Sequence, residues 1–414
     1  MTTEIEEHIL QKYEIKTRLG KGAYGIVWKG IDRRTGELVA IKKVFDAFRN
    51  RTDAQRTFRE IMFLQEFGSH PNVIKLINVI KAENNSDIYL VFEYMDVDLY
   101  TIIKKGNILE DIQRRYIMYQ ILKAIKYIHS GNVIHRDMKP SNILLDAECF
   151  VKVADFGLAR SLHQLDDMDT SANPEMTDYV ATRWYRSPEI LLASKKYTKG
   201  VDMWSVGCIM GEMLLGRPLF AGTSSFNQIE KIMSSIPRPS QADIQAIQSQ
   251  YAQSVLDKNI VRHRREIEDI IPHASDDAID LLKKLLQFNP HRRITVEDAL
   301  RHPYVSRFHN TAGEISLDYD VIPPLDDDTL LTVNEYRDKL YELIKDKKAQ
   351  IRKHKKEILE KQSQQRTQQS PPPSPVEKSP RVTVESNVEV RRTPRKGEGD
   401  QDQRNFYGRF SFFS

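Results

Sequence analysis

The segment that most constrains the fold of this chain spans residues 133–160 and reads VIHRDMKPSNILLDAECFVKVADFGLAR. Its apolar runs alternate with short stretches that carry acids, lysine and asparagine. Strands formed by such runs would hold the polar side chains on the loops between them, where catalytic residues concentrate. Carboxylate and amide oxygens suit a hard cation, and a lysine ammonium suits phosphate. The segment therefore predicts a phosphoryl-transfer site.

The order of these polar residues resembles the protein-kinase motifs H-R-D-L-x-x-x-N and D-F-G. The first motif runs from His135 to Asn142, with Met138 in place of leucine, and the second begins at Asp155. The resemblance implies an α+β, bilobal protein kinase fold, with a small mainly β N-lobe, a larger mainly α C-lobe and a site in the cleft between them.

Residues 13–44 predict strands joined by hairpins and contain the spacing G-x-G-x-x-G. This spacing also occurs in dinucleotide-binding folds, but a helix follows the glycines there, whereas β-forming residues and then V-A-I-K follow them here. Glycine lets backbone amides approach phosphate oxygens closely, and Lys42 would reach the α- and β-phosphates. The residues expected to bind the nucleotide in this region are Gly20, Lys21, Gly22, Ala23, Tyr24, Gly25, Val27, Ala40 and Lys42.

Apolar residues at helical spacing predict an amphipathic helix over residues 53–67. This helix can supply the counter-charge that Lys42 needs to stay protonated and oriented. Glu60 is the expected partner, and Glu66, at the end of the helix, is the weaker candidate.

The apolar run over residues 88–95 predicts a buried strand that leads into the hinge between the lobes. By the kinase resemblance, the backbone from Glu93 to Met95 would bind the adenine edge, and Phe92 would lie behind the adenine. Two interpretations of Phe92 remain open, because it either restricts that cavity or only packs in the core.

In phosphoryl transfer the protein mainly positions groups and neutralises charge. Asp155 and Asn142 would hold Mg²⁺ at the phosphates of ATP. Asp137 would accept the proton of the substrate hydroxyl, and Lys139 would contact the transferred phosphoryl group. The form HRDxKPxN resembles serine/threonine kinases rather than tyrosine kinases, which implies serine or threonine acceptors in protein substrates. His135 is expected to be a buried structural residue.

Between the DFG motif and the sequence SPE lies the triplet Thr177-Asp178-Tyr179, which resembles the phosphorylated Thr-x-Tyr of the mitogen-activated protein kinases. The resemblance implies that phosphorylation of Thr177 and Tyr179 regulates the site. A phosphate adds about −1.5 to −2 charge, which can order a loop against arginines. The expected receivers of phospho-Thr177 are Arg59, Arg136 and Arg160. The alternative is that these arginines are merely solvated.

The resemblance to this family covers residues 13–308 and includes its inserted segment, residues 234–258. It implies that Arg186 favours proline after the phosphorylated residue, that Glu189 pairs with Arg293, and that Asp202 braces the catalytic loop. Where related kinases carry an acidic docking patch, this chain reads NTAGEISLDYD, and the nearest dense acids are residues 326–328. The sequence that follows resembles the atypical branch called extracellular-signal-regulated kinase seven/eight, which implies autophosphorylation of the triplet.

The chain is expected to comprise an N-terminal extension (1–12), a kinase domain (13–304, with lobes 13–95 and 96–304), a C-terminal extension (305–361) and a tail (362–414). A capping box at Thr332 and Glu335 predicts a helix start. Its basic continuation is a solvated face, a nuclear-import signal or a docking site for acidic partners. Gln, Ser, Pro and charged residues dominate the tail, and this composition predicts disorder.

A formal charge of +4 is too small to argue for nucleic-acid binding, and the apolar runs are too short to span a membrane. Cys149 and Cys208 lie in apolar segments, which predicts buried thiols in a reducing compartment. We expect a monomer in the cytoplasm or nucleus, and the family resemblance alone adds a cytoskeletal or ciliary association. Two alternatives to this kinase are a pseudokinase scaffold, although the catalytic residues are all present, and a cyclin-dependent kinase, although that class does not normally carry Thr-x-Tyr.

Overall fold

The computed structural model describes residues 5–22, 25–106, 108–163, 183–194, 196–258, 264–325, 329 and 331–368. The chain divides into two compact units, the first of which ends at Arg337 and contains both predicted lobes. The second unit begins at Asp338 and, in its described part, is the continuation of one helix. None of the helices in these ranges combines the length and apolar character needed to cross a bilayer.

The described residues of the N-lobe form five strands and two helices: α1 Glu7–Leu10, β1 Tyr13–Gly22, β2 Gly25–Asp32, β3 Leu38–Val44, α2 Arg51–Phe67, β4 Leu76–Lys81 and β5 Ile88–Glu93. The strands form one antiparallel sheet in the order β1-β2-β3-β5-β4. Alternate residues of β2, such as Ile26 and Trp28, are buried, as expected of a sheet with one face on a core. The helix predicted over residues 53–67 is confirmed and begins slightly earlier, after Asn50 caps it by accepting a hydrogen bond from the Asp53 amide.

The segment that precedes the strands takes part in the N-lobe core. Ile5 and Ile9 are buried among the side chains of the sheet, including Tyr89. The described part of the predicted N-terminal extension therefore packs as an element of the lobe.

The C-lobe is helical, as predicted. Its helices are α3 Leu99–Lys105, α4 Asp111–Ser130, α5 Pro188–Leu191, α6 Gly200–Leu215, α7 Ser225–Met233, α8 Gln241–Ala246, α9 Ala252–Lys258, α10 Ile267–Ile270, α11 Asp276–Leu285, α12 Val296–Arg301 and α13 Pro303–Ser306. Helix α6 is apolar on nearly all sides and is accordingly buried along most of its length. It ends at Gly216, whose φ of 75° is a left-handed conformation that glycine adopts without strain. The buried positions predicted for Cys149 and Cys208 are confirmed.

Short strands hold the segment that contains the kinase motifs: β6 Val97–Asp98, β7 Val133–Ile134, β8 Ile143–Leu145, β9 Val151–Val153 and β10 Arg160–Ser161. Strand β8 pairs with β6 and β9, and β7 pairs with β10. The strands predicted for this segment are therefore present, and the polar motifs occupy the loops between them.

A long helix, α14 Val333–Gln368, follows the C-lobe. The predicted capping box is confirmed, because the Thr332 amide donates to Glu335 and the Glu335 amide donates to the Thr332 hydroxyl. Within the first unit, the Tyr336 ring contacts Phe58 of α2, with ring centroids 6.1 Å apart. The helix extends through Gln368, beyond the predicted tail boundary at residue 362, and the tail from residue 369 lies outside the described residues.

A buried ion pair joins α5 to the end of the C-lobe. Both guanidinium NH groups of Arg293 lie 2.6 Å from the two carboxylate oxygens of Glu189, and each side chain is only 1% exposed. The predicted pairing of these two residues is therefore present. Arg293 also lies over the Trp204 ring, 5.1 Å from its centroid.

We expect Arg293→Leu to lower the free energy of unfolding by about 3–5 kcal/mol, because it leaves the Glu189 carboxylate buried without its counter-charge. Denaturant titration of the full chain would measure the loss. Arg301→Leu is the control, since Arg301 forms an exposed pair with Asp298 that should contribute at most about 1 kcal/mol. Equal losses in the two variants would contradict the expectation.

Candidate active site

A cleft of about 540 Å³ lies between the two lobes. The N-lobe strands present their side chains to one side of it, and the hinge and C-lobe loops form the other. Its lining residues are Leu19, Gly20, Val27, Ala40, Lys42, Glu60, Ile74, Phe92, Glu93, Met95, Asp96, Val97, Asp98, Thr101, Ser141, Asn142, Leu144, Ala154 and Asp155. The site predicted from sequence thus coincides with this cleft at many positions. Three apolar residues that line the cleft, Leu19, Ile74 and Leu144, were not identified from the sequence, because in sequence they look like ordinary core residues.

Lys42 on β3 faces Glu60 of α2, and both side chains line the N-lobe side of the cleft. The ammonium lies 3.5 Å from the Glu60 carboxylate, and the nearby negative charge raises the pKa of Lys42. Glu66, the alternative partner, instead accepts a hydrogen bond of 2.7 Å from the Tyr319 hydroxyl. The geometry therefore favours Glu60 over Glu66.

The catalytic loop brings three predicted side chains together. The Lys139 ammonium is 2.6 Å from one carboxylate oxygen of Asp137. The Asn142 amide nitrogen donates to the same oxygen and to the Asp137 carbonyl. His135 is fully buried and contacts the Phe156 ring edge-on, in keeping with its expected structural role.

Asp202 of α6 is fully buried and binds the backbone of this loop. Its carboxylate accepts hydrogen bonds of 2.8 Å from the backbone amides of both His135 and Arg136, and it also contacts the His129 ring. Burial acts to raise the pKa of Asp202, but the contact with His129, the nearby His135 ring and the His135 amide outweigh it and lower the pKa. Arg136 has a φ of 67°, a strained conformation for a residue with a side chain, which the two hydrogen bonds help to hold. The predicted bracing contact is thus present.

Asp155 follows β9. The amide of the preceding residue, Ala154, donates a hydrogen bond to the Asn142 carbonyl and so brings Asp155 close to Asn142. Burial acts to raise the pKa of Asp155, but the positive charges of Lys42, Arg56 and Lys139 lower it, so the carboxylate is ionised. Because the Asn142 amide nitrogen is committed to Asp137, its amide oxygen is the atom left for a cation. An ionised carboxylate beside an amide oxygen is a donor set that fits Mg²⁺.

Arg56, which sequence reasoning did not single out, lies over the DFG glycine. Its Nε is 2.8 Å from the position that a Cβ on Gly157 would occupy. The only signal in the sequence was its position one helical turn before Glu60, which places both on the same face of α2.

The glycine-rich turn is described at Gly20, Lys21, Gly22 and Gly25, whereas Ala23 and Tyr24 lie outside the described residues. Added Cβ atoms at Gly20 and Gly22 would meet open space, so no neighbouring atom crowds the chain at these two positions. Gly25 serves a different purpose, since a Cβ there would collide with the carbonyl of Lys43 on the neighbouring strand.

The hinge begins where β5 ends. Phe92 pairs across the sheet with Ala40 and lines the cleft, so it faces the cavity as well as packing. The Glu93 carboxylate is 2.9 Å from the Lys152 ammonium of β9 and accepts a hydrogen bond from the Lys75 amide. These contacts fix the hinge against both lobes, and Lys152 could not be found from sequence because the pair is widely separated in the chain.

The three arginines predicted to receive a phosphate lie on different elements. Arg59 is buried beside Glu60 on α2, Arg160 pairs through its backbone with Ile134, and the Arg136 guanidinium lies 4.7 Å from the centre of the Tyr197 ring. Thr177 and Tyr179 lie outside the described residues. Phosphate binding by these arginines remains a prediction.

A β-rich lobe and a helical lobe, with a lysine–glutamate pair, an HRD loop and a DFG carboxylate in the cleft between them, define the class of protein kinases. The protein kinase domain family matches residues 13–305. Mitogen-activated protein kinase 15 of Xenopus laevis is 66% identical over 357 residues, which are 86% of this chain and 61% of that protein. Mitogen-activated protein kinase 15 of Caenorhabditis elegans is 59% identical over 85% of this chain and 75% of its own length.

Extracellular signal-regulated kinase 2 of Dictyostelium discoideum is 57% identical over 84% of this chain and 95% of its own length. The chain belongs to the mitogen-activated protein kinases, a group of serine/threonine protein kinases. These relatives do not favour the scaffold or the cyclin-dependent alternative. The kinase domain implies the use of ATP with a divalent metal and of protein substrates.

We expect Asp202→Asn to lower the free energy of unfolding by about 3–5 kcal/mol at neutral pH, because it breaks a buried charged network. The pKa of Asp202 is lower in the folded state, so its stabilisation is present above the ordinary value of 3.8 and is lost as the pH falls through the folded value. The difference between wild type and variant should therefore narrow below about pH 4.

Denaturant titrations of both proteins between pH 7 and pH 3 would measure this difference. Asp318→Asn, at an exposed position, is the control. A difference that stays constant, or widens, on acidification would show that Asp202 does not stabilise the fold as an anion.

Proposed function

We propose that this chain transfers the γ-phosphoryl group of ATP, with Mg²⁺, to serine or threonine hydroxyls of proteins. The observation that carries the proposal is the convergence of Asp137, Lys139 and Asn142 on one loop, which Asp202 holds and from which Asn142 lines the cleft. Such an arrangement positions an acceptor hydroxyl against a bound nucleotide.

Each residue has a role in this proposal. Asp155 and the amide oxygen of Asn142 would hold Mg²⁺, which neutralises phosphate charge when bound. Lys42, oriented by Glu60, would bind the α- and β-phosphates, and the amides at Gly20 and Gly22 would bind above them. Asp137 would accept the hydroxyl proton at its carboxylate, while Lys139, 2.6 Å away, would stabilise negative charge on the transferred group.

The hinge would select the base. The backbone from Glu93 to Met95 would bind the adenine edge, held in place by Lys152 and Lys75 behind it. Phe92 would limit the depth of the cavity beyond the adenine. Asp98 and Thr101, which line the cleft near the start of α3, would face the ribose end of the nucleotide.

For regulation and substrate choice, the support is the family to which the chain belongs. We propose that phosphorylation of Thr177 and Tyr179, carried out by the chain itself, activates the site, with Arg59, Arg136 and Arg160 as receivers of phospho-Thr177. Ser/Thr-Pro sequences are the proposed targets. We further propose a monomer in the cytoplasm or nucleus that binds neither nucleic acid nor membranes.

We propose that this chain docks its substrates through a different surface from the acidic patch that related kinases carry after the C-lobe. In the corresponding segment, Glu314 is buried, lies 3.6 Å from the Lys126 ammonium and 2.7 Å from the His309 ring. The charge of Glu314 is therefore neutralised within the fold, and the rest of the C-terminal extension is left as the proposed docking region.

Asp137→Ala is expected to reduce kcat by about 10²–10⁴-fold, because it removes the proton acceptor. Incorporation of phosphate from MgATP into a generic basic protein substrate would measure it. Glu148→Ala, which removes an exposed acid from the same segment, is the matched control and should retain wild-type activity. Equal and negligible phosphate transfer by wild type and Asp137→Ala would contradict the assignment of an active kinase.

Wild-type protein purified from bacteria is expected to carry phosphate on Thr177 and Tyr179, and Asp137→Ala protein prepared in the same way should carry none, because the modification would be the chain's own. Phosphopeptide mapping by mass spectrometry distinguishes the two. Wild-type protein that is unmodified at both residues, but becomes modified when an upstream kinase is added, would refute autophosphorylation.

A further inference from the structure

A second cluster of polar groups lies in the N-lobe, outside the cleft, where the segment before β1 meets the turn between β4 and β5. Ile5 and Ile9 anchor this segment in the core, which directs Glu6 and His8 at the turn. The Glu83 amide donates a hydrogen bond of 2.9 Å to Glu6 Oε2. The apolar anchors therefore hold two ligand-bearing residues against a third.

His8 is oriented by a backbone group of the sheet. Its Nε2 lies 3.0 Å from the carbonyl oxygen of Lys81, so Nε2 carries the hydrogen and donates it. In a neutral ring this leaves a lone pair on Nδ1. Metal-binding histidines commonly donate their other ring N–H to a backbone carbonyl in this way, which fixes the tautomer and the ring orientation.

The Nδ1 atom lies close to two carboxylates. It lies 3.4 Å from Glu83 Oε1 and 3.7 Å from Glu6 Oε2, and the three ligand atoms lie within 4.8 Å of one another. Nδ1 is shielded from solvent, and no atom in the described part of the chain meets the geometry of a hydrogen bond to it. A nitrogen lone pair next to two anionic oxygens is electrostatically unfavourable, and a cation bound between these three atoms would stabilise the arrangement.

The balance of charge indicates a divalent cation. The Lys43 ammonium contacts two of the carboxylates, 3.2 Å from Glu6 Oε1 and 3.3 Å from Asp87. Glu6, Glu83 and Asp87 thus outweigh Lys43 by two negative charges. A protonated His8 would compensate one of them, whereas a divalent ion bound by neutral His8 compensates both.

The spacing of the ligand atoms fits tetrahedral zinc. Zinc–nitrogen and zinc–oxygen bonds of about 2.0–2.2 Å place neighbouring ligands about 3.3–3.6 Å apart. The two distances from Nδ1, 3.4 and 3.7 Å, come close to this range, and all three ligand atoms lie within 4.8 Å of one another. An imidazole nitrogen combined with carboxylates suits zinc better than Mg²⁺ or Ca²⁺, which prefer oxygen alone.

We propose that Glu6, His8 and Glu83 form a zinc site, with water as the fourth ligand, that pins the segment preceding β1 to the β4–β5 turn. The site is distinct from the cleft and would stabilise the N-lobe rather than take part in phosphoryl transfer.

The test is a titration of the full chain, stripped of metal, with Zn²⁺ in the presence of excess Mg²⁺, which keeps the carboxylates of the cleft occupied. Calorimetry would give the number of sites and the affinity, and melting curves with and without a chelator would give the stabilisation. Co²⁺ in place of Zn²⁺ adds a visible absorption band that reports tetrahedral coordination.

Three variants separate this site from others. His8→Ala and Glu83→Gln should each weaken the tightest zinc site by at least about 10-fold and lose the Co²⁺ band. His273→Ala, at an exposed histidine of the C-lobe, should bind as wild type does. Glu83 is exposed, and glutamine has nearly the same shape as glutamate, so Glu83→Gln should fold normally. It therefore still tests the site if His8→Ala folds poorly.

Zinc-dependent melting of wild type that is absent from both cluster variants would support the proposal. No zinc binding by wild type, or unchanged binding by His8→Ala and Glu83→Gln, would overturn it. It would also be overturned if neither zinc nor chelator changed the melting temperature of wild type.

Discussion

The buried carboxylate of Asp202 is the interaction on which the rest of the site depends. It lies on a helix that is apolar around nearly its whole circumference, and it accepts hydrogen bonds from two consecutive backbone amides of the catalytic loop. A buried anion is tolerable only when donors surround it. The loop and the helix are therefore mutually dependent: the amides stabilise the anion, and the anion holds Arg136 in a backbone conformation that it would otherwise avoid.

Contacts between the lobes connect the catalytic loop region to the nucleotide side of the cleft. The loop after α2 pairs with β9, since Val153 donates to the Asn72 carbonyl and Ile74 donates to that of Val153. The Asn72 side chain then donates to Gln120 of α4, inside the C-lobe. Strand β9 leads directly into Asp155, so the position of the expected metal ligand is coupled to the loop that connects α2 with the sheet. Lys152 of the same strand forms an ion pair with Glu93, which connects the hinge to β9 as well.

Much of this arrangement could be predicted from sequence. The strands and α2 follow from the periodicity of apolar residues, and the capping box at Thr332 is a local signal. The cleft residues were found because kinase motifs keep a fixed order along the chain. The contribution of Ile5 and Ile9 to the core was not found, since a short segment before a domain carries no periodic signal of its own. The extent of α14 was underestimated because polar composition argued for disorder where a helix forms.

The sequence by itself determined which chemical groups are present, their order along the chain and the local elements that carry them, because periodicity and motif spacing are properties of neighbouring residues. Only the tertiary structure decided which of two glutamates faces Lys42, that Arg56 lies over Gly157, that Glu314 is neutralised within the fold, and that His8 meets Glu83. The physical reason is that a charged side chain takes its partner from whatever packing brings within a few ångströms, and such partners lie far apart in the chain.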